Sequence, residues 1–142
     1  MGGPERLETI VRLFAEAPRD VKLQALLDYS QRLPDLPDRF ADHPERLEKV
    51  RECQTPFFLA IEMDHSDRVD LFFDVPAESP TVRGYAGILH AGLNGATAGE
   101  ILQVPPDFFL KMGLAEAVSA MRLNGMGAIL AAIQRRVAAQ VA

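Results

Sequence analysis

Two runs of strict alternation constrain this fold more than any other feature of the chain. Phe57, Leu59, Ile61 and Met63 alternate with Phe58, Ala60 and Glu62, and Val69, Leu71, Phe73 and Val75 alternate with Asp70, Phe72 and Asp74. A period of two residues puts each set on one face of a sheet. Asp64-His65-Ser66-Asp67-Arg68 between them is a hairpin-length connection, so the two strands are expected to pair antiparallel. Phe58 and Phe72 on the otherwise polar faces predict that the far side of the sheet is partly covered.

Elsewhere the apolar residues recur at helical spacing. Leu7, Ile10, Val11 and Phe14 predict a first helix of about three turns, closed by Pro18, with Asp20 offering a cap to the next. Leu23, Leu26, Leu27 and Leu33 form a second apolar stripe that Pro34 terminates. From Pro34 to Pro44 there is no periodicity, which predicts an extended surface connection anchored by Leu36 and Phe40. Ser79-Pro80 opens a helix through Val82, Tyr85, Ala86, Leu89 and Leu93 that Asn94-Gly95 stops. Gly84 and Gly87 each cost such a helix about 1 kcal/mol relative to alanine, which points to close packing there.

Thr97-Ala98-Gly99-Glu100 is a capping box for a short helix broken by Pro105-Pro106. Asp107 is expected to cap a turn bearing Phe108, Phe109 and Met112, and a last helix runs from about Ser119 with Met126, Ile129, Leu130, Ile133 and Val137 inward. With no internal repeat or linker, residues 1–142 are expected to form one α+β domain. Its small antiparallel sheet, of about three strands, packs with N-terminal and C-terminal helices.

A chain of 142 residues can bury roughly 68–70% of the surface its unfolded form exposes, so it needs no covalent staple. The net charge of −5, with no Lys/Arg cluster, disfavours nucleic acid, which needs a cationic footprint. The start, Met1-Gly2-Gly3-Pro4-Glu5-Arg6, lacks a basic region followed by an apolar one, and no apolar stretch reaches membrane-spanning length. Together with a single cysteine, which suits a reducing compartment, this predicts a cytoplasmic location without a membrane.

That cysteine is Cys53, in Arg51-Glu52-Cys53-Gln54-Thr55-Pro56. A lone thiol cannot form an internal disulfide and cannot by itself supply the thiolates of a structural zinc or iron-sulfur site. Its distinctive option is one-sulfur chemistry; the plainer alternative is buried packing, since free cysteine behaves as a small hydrophobe. His43, His65 and His90, with Asp42 and Cys53, match no zinc-ligand spacing, so no metal is expected. A cysteine hydrolase would need a nucleophile signature that the chain does not show.

Several segments together resemble the SufE family of sulfur acceptors, which work with cysteine desulfurases in iron-sulfur cluster assembly. They are Leu33-Pro34-Asp35-Leu36-Pro37, Val50-Arg51-Glu52-Cys53-Gln54-Thr55, Val82-Arg83-Gly84, Asn94-Gly95-Ala96-Thr97 and Arg122-Leu123-Asn124-Gly125-Met126. The resemblance implies a SufE/IscU-like fold with Cys53 on an exposed loop tip. It implies that Cys53 takes persulfide sulfur from a SufS-like desulfurase, stimulates that enzyme and passes the sulfur to a SufB-like scaffold. The chain would hold no cofactor of its own, because the desulfurase carries the pyridoxal phosphate, and it would be a carrier, not an enzyme.

Arg122, Gln54 and Arg51 are then supporting residues, and Asp74, Asp35 and Asp38 are candidates for the partner-binding surface, on a monomer or weak homodimer. Glu52 stands where the family commonly has glycine, placing a negative charge beside the thiol that Arg51 and Arg122 would oppose. Pro56 stands where the family usually has a polar residue. A loop that alternates between a sheltered and an extended position would protect a persulfide from small thiols. The alternative reading is a non-catalytic docking or regulatory module of a desulfurase in which Cys53 is incidental. A three-cysteine cluster scaffold is disfavoured by the single thiol.

Overall fold

The computed structural model describes residues 3–141. Met1, Gly2 and Ala142, which fall within the expected domain 1–142, lie outside the described residues.

Two helices lead the chain, α1 (Glu5–Glu16) and α2 (Arg19–Arg32), followed by a single turn, α3 (Asp38–Ala41). The sheet comprises β1 (Glu48–Lys49), β2 (Phe58–Met63) and β3 (Val69–Asp74), antiparallel throughout in the order β1-β2-β3. Helices α4 (Pro80–Leu93), α5 (Ala98–Leu102) and α6 (Ala120–Val141) complete the fold, with tight 3₁₀ turns at Phe108–Met112 and Leu114–Glu116. This is the expected α+β architecture.

The hairpin pairs Leu59 with Phe73 and Ile61 with Leu71, so the alternating apolar residues share one face. Leu59, Leu71 and Phe73 join α1, α4 and α6 in one contiguous core. The far face is covered in part, as Phe58 and Phe72 predicted: Phe40 of α3 packs against Phe72 with tilted rings whose centroids lie 4.8 Å apart, and Arg39 lies over the same ring. Outside the sheet's plane α2 runs along α4. A β-carbon at Gly84 or Gly87 would collide with the Leu26 or Tyr29 carbonyl, so the two glycines permit a backbone-to-backbone approach that no other residue allows.

The helix starts depart from expectation in detail. Pro18, not Asp20, occupies the cap position of α2, and Asp20 sits in the first turn. Ser79 and Asp107 hold cap positions without a side-chain hydrogen bond, whereas the Thr97–Glu100 capping box forms reciprocally. In α2 the buried stripe is Lys22, Leu26 and Ser30, while Leu27 is exposed. Lys22 is tolerated inside because its ammonium donates to Glu116 at 3.1 Å, which a hydropathy pattern cannot anticipate.

Candidate functional site

Cys53 lies in the loop between β1 and β2. The Val50 N–H donates to the Phe57 carbonyl at 2.9 Å, closing a neck from which residues 51–56 bulge. Within the bulge the Cys53 N–H donates to the Val50 carbonyl at 3.2 Å, a turn that directs the side chain inward. The result differs from the exposed loop tip implied by resemblance: Cys53 is only 7% exposed. Its sulfur rests against the start of α6, where a β-carbon built on Gly125 would sit 3.5 Å from Cys53 Sγ.

The thiol lines a cavity of about 510 Å³ whose walls come from three places in the sequence. The loop itself gives Gln54, Thr55 and Pro56; the start of α4 gives Ser79 and Val82; the start of α6 gives Ser119, Arg122 and Met126. Arg83 fixes the middle contributor. Its guanidinium donates from Nη1 to the Val75 carbonyl at 2.7 Å and from Nε to the Ser30 carbonyl at 3.1 Å, tying the first turn of α4 to the end of β3 and to α2. The other wall is anchored through β1, where Arg136 of α6 pairs with Glu48 at 3.0 Å.

Electrostatically the thiol is pulled both ways. Burial pushes the Cys53 pKa up, and a backbone hydrogen bond from Thr55 and the Arg122 guanidinium pull it back down, leaving it above the ordinary thiol value. The resting side chain is therefore a protonated, sheltered thiol at neutral pH. Among the described residues no group of three or more His, Cys, Asp or Glu side chains is arranged to hold a metal ion.

Together these features are one sulfur on a cavity wall, one neighbouring cation and room beside the thiol for an added atom. The sequence carrying them matches the family model described as SufE, Fe-S metabolism associated domain, across residues 8–137. The chain belongs to the SufE family. An uncharacterized SufE-like protein of Mycobacterium tuberculosis is 46% identical over 133 residues, spanning 94% of this chain and 92% of that one. The sulfur acceptor protein CsdE of Escherichia coli is 28% identical over 128 residues, spanning 89% and 84%. A hypothetical protein from Thermus thermophilus, solved in solution, superposes with a TM-score of 0.86 at 37% identity, covering 98% of each chain.

On this SufE-family scaffold the expected site residues separate. Gln54 and Arg122 do line the Cys53 cavity. Arg51 does not; with Glu52 it borders a different surface hollow beside Glu48 and Arg135. Of the charges expected to act on the thiol, Arg122 does pull its pKa down, together with a backbone hydrogen bond from Thr55, whereas burial and not Glu52 pushes it up, and Arg51 is not among the causes. Asp35, Asp38 and Asp74, expected near Cys53, are absent from its cavity wall: Asp35 lines a separate groove, Asp38 begins α3, and Asp74 pairs with Phe58 in the sheet. Ser79 and Ser119 carry only helix signals in the sequence, and Val82 stands out there only as part of the Val82-Arg83-Gly84 segment, with no sign that it meets Cys53. Nothing linear could show that two helix starts converge on one loop.

Proposed function

We propose that this chain accepts sulfur from a cysteine desulfurase as a persulfide on Cys53 and passes it to an iron-sulfur cluster scaffold. The observation that carries the proposal is the placement of the one thiol on a cavity wall beside Arg122, in a chain whose relatives include a named sulfur acceptor. The desulfurase would be SufS-like and would bring the pyridoxal phosphate; the scaffold would be SufB-like; the exchange suits the reducing conditions of the cytoplasm.

The transfer is a thiol–disulfide-type exchange. Cys53 loses its proton to solvent, and its thiolate attacks the outer sulfur of the partner's cysteine persulfide. A bond forms between Cys53 Sγ and that sulfur as the partner's sulfur–sulfur bond breaks. The partner's cysteine leaves as a thiolate and regains a proton. No net oxidation occurs and no metal or cofactor held by this chain takes part, so its role is that of a carrier.

Two features shape the step. The Arg122 guanidinium favours the anionic forms, both the attacking thiolate and the persulfide anion that replaces it. The cavity beside Sγ gives the added sulfur space away from bulk thiols. Because the resting thiol is buried, the six residues 51–56 must swing outward about the Val50–Phe57 neck for the partner's sulfur to reach it. The test is desulfurase turnover with Cys53→Ser. The substitution preserves fold and docking but abolishes stimulation; undiminished stimulation would refute the carrier role.

A further inference from the structure

The cations of this chain are distributed unevenly. Acidic residues outnumber basic ones, 20 to 15, so a lysine or arginine on the surface has carboxylates in excess with which to pair. Most are engaged in some way. Lys22, Arg39 and Arg136 pair with carboxylates, and Arg6, Arg19 and Arg68 donate to backbone carbonyls. The side chains of Lys49, Arg51, Lys111, Arg122 and Arg135 make no hydrogen bond, ion pair or ring contact among the described residues. All of these except Lys111 line one of the two hollows that the Cys53 loop borders. An acidic chain thus gathers its uncommitted positive charge around its thiol.

The hollow that Cys53 does not line has a volume of about 270 Å³. Its walls are Glu48 and Lys49 of β1, Arg51 and Glu52 of the loop, and Arg135 of α6. Glu48 is committed to Arg136, a pair that ties β1 to α6, so Lys49, Arg51 and Arg135 share the hollow with the one uncommitted carboxylate of Glu52. The fold holds these cations in place and in water. Lys49 sits in the sheet by its pairing with Phe58, and Arg135 lies on α6 between the buried Ile133 and Val137; Lys49, Arg51 and Arg135 are all exposed. Like charges gathered in this way repel one another, and an anionic partner relieves that repulsion.

The arrangement selects the occupant. A small anion would satisfy one hollow, but the uncommitted cations are divided between two, with Arg122 in the cavity beside the thiol. A uniformly charged polyanion such as nucleic acid would meet the net charge of −5 carried by the whole chain. A protein face bearing a few carboxylates meets the cations alone, and Met121, 59% exposed on the cavity wall, offers it an apolar contact. We propose that the surface around the Cys53 loop is the docking site for an acidic face of the protein that delivers sulfur to Cys53, with that partner's carboxylates set against Lys49, Arg51 and Arg135. The partner's role rests on the carrier reading; its acidity rests on the cations. Arg51 lies within the 51–56 segment, so a carboxylate bound to it grips the loop that must open.

The test has a binding arm and a turnover arm. In the first, the isotope-labelled full chain is titrated with blocked hexaglutamate, with hexalysine as the charge-reversed control. Hexaglutamate is expected to shift the amides of Lys49, Arg51 and Arg135, and to bind more weakly as salt is raised. The double variant Lys49→Gln/Arg135→Gln changes two exposed side chains outside the loop and is expected to weaken this binding about fivefold. Arg12→Gln/Lys111→Gln removes the same charge elsewhere and is expected to leave it unchanged, as is Cys53→Ser. Unshifted amides, equal binding of hexalysine, or an equal loss in the Arg12 and Lys111 variant would overturn the docking site. So would the same shifts on raising protein concentration alone, which would assign the surface to a second copy, or tighter binding of hexathymidylate, which would assign it to nucleic acid. In the second arm, the Lys49 and Arg135 variant is expected to raise about tenfold the concentration of chain that half-saturates desulfurase stimulation, with maximal stimulation intact. An unchanged half-saturating concentration would overturn the sulfur donor as occupant. Failure of the carrier reading shows itself separately, as stimulation that survives Cys53→Ser.

Discussion

The α2–α4 seam and the Cys53 loop are built on opposite principles within one molecule. At the seam, Gly84 and Gly87 bring one helix backbone against the carbonyls of another, leaving no free space. At the loop, residues 51–56 are held by one backbone bond at the neck, one within the turn and the Thr55 backbone bond to the Cys53 sulfur, above a cavity of about 510 Å³. Close-packed surfaces transmit strain and resist motion, whereas a segment with few internal bonds can open at low cost. In the proposed transfer, the seam supplies the fixed frame against which the Cys53 loop would move.

One chemical change made in both places separates them. Gly84→Ala forces a methyl group into the Leu26 carbonyl and is expected to cost about 3 kcal/mol in chemical denaturation. Gly125→Ala, also inside a helix, meets Cys53 only at ordinary contact distances of 3.5 to 3.9 Å. Its stability is expected to change by less than about 1 kcal/mol, with helix propensity favouring alanine. Equal losses at the two sites would erase the distinction between frame and loop.

A smaller effect reads the loop's motion. Alkylation of Cys53 in the free chain is expected to be slow, with a pH midpoint above that of an ordinary thiol, because burial raises its pKa. Saturating desulfurase carrying no persulfide is expected to change the labelling rate by about tenfold, faster if the loop is drawn out into solvent and slower if it is drawn into the partner's own site. An unchanged rate would mean that docking does not move the loop. Smaller again is Arg122→Gln. Removing this cation, which lowers the thiol's pKa, is expected to slow alkylation near pH 8 by about two- to fivefold, with the difference vanishing at high pH where the thiol ionises regardless.

The same contrast explains what could be read from the chain before its fold was known. The hairpin, the glycine-mediated seam and the inward face of α6 were legible because periodicity and residue size report local burial directly, as with Leu59, Gly84 and Ile133. Cys53 was legible by its solitude and its motif, as were Arg122 and Gln54 by theirs. Its burial was not, since that depends on the Val50–Phe57 neck and on helix starts distant in sequence meeting at one point. That Arg51 borders a different hollow was hidden for a related reason: adjacency in sequence to Cys53 says nothing about which side of a bulged loop a side chain occupies. The strand order and caps such as Asn94, which takes the Leu71 N–H, were equally hidden, because they emerge only from the assembled sheet.

Intact-protein mass spectrometry during desulfurase turnover with cysteine tests the central claim most directly. The account predicts a gain of about 32 Da, one sulfur atom, localised to Cys53 and reversed by reductant. Turnover stimulated by this chain with no added mass on Cys53 would contradict it.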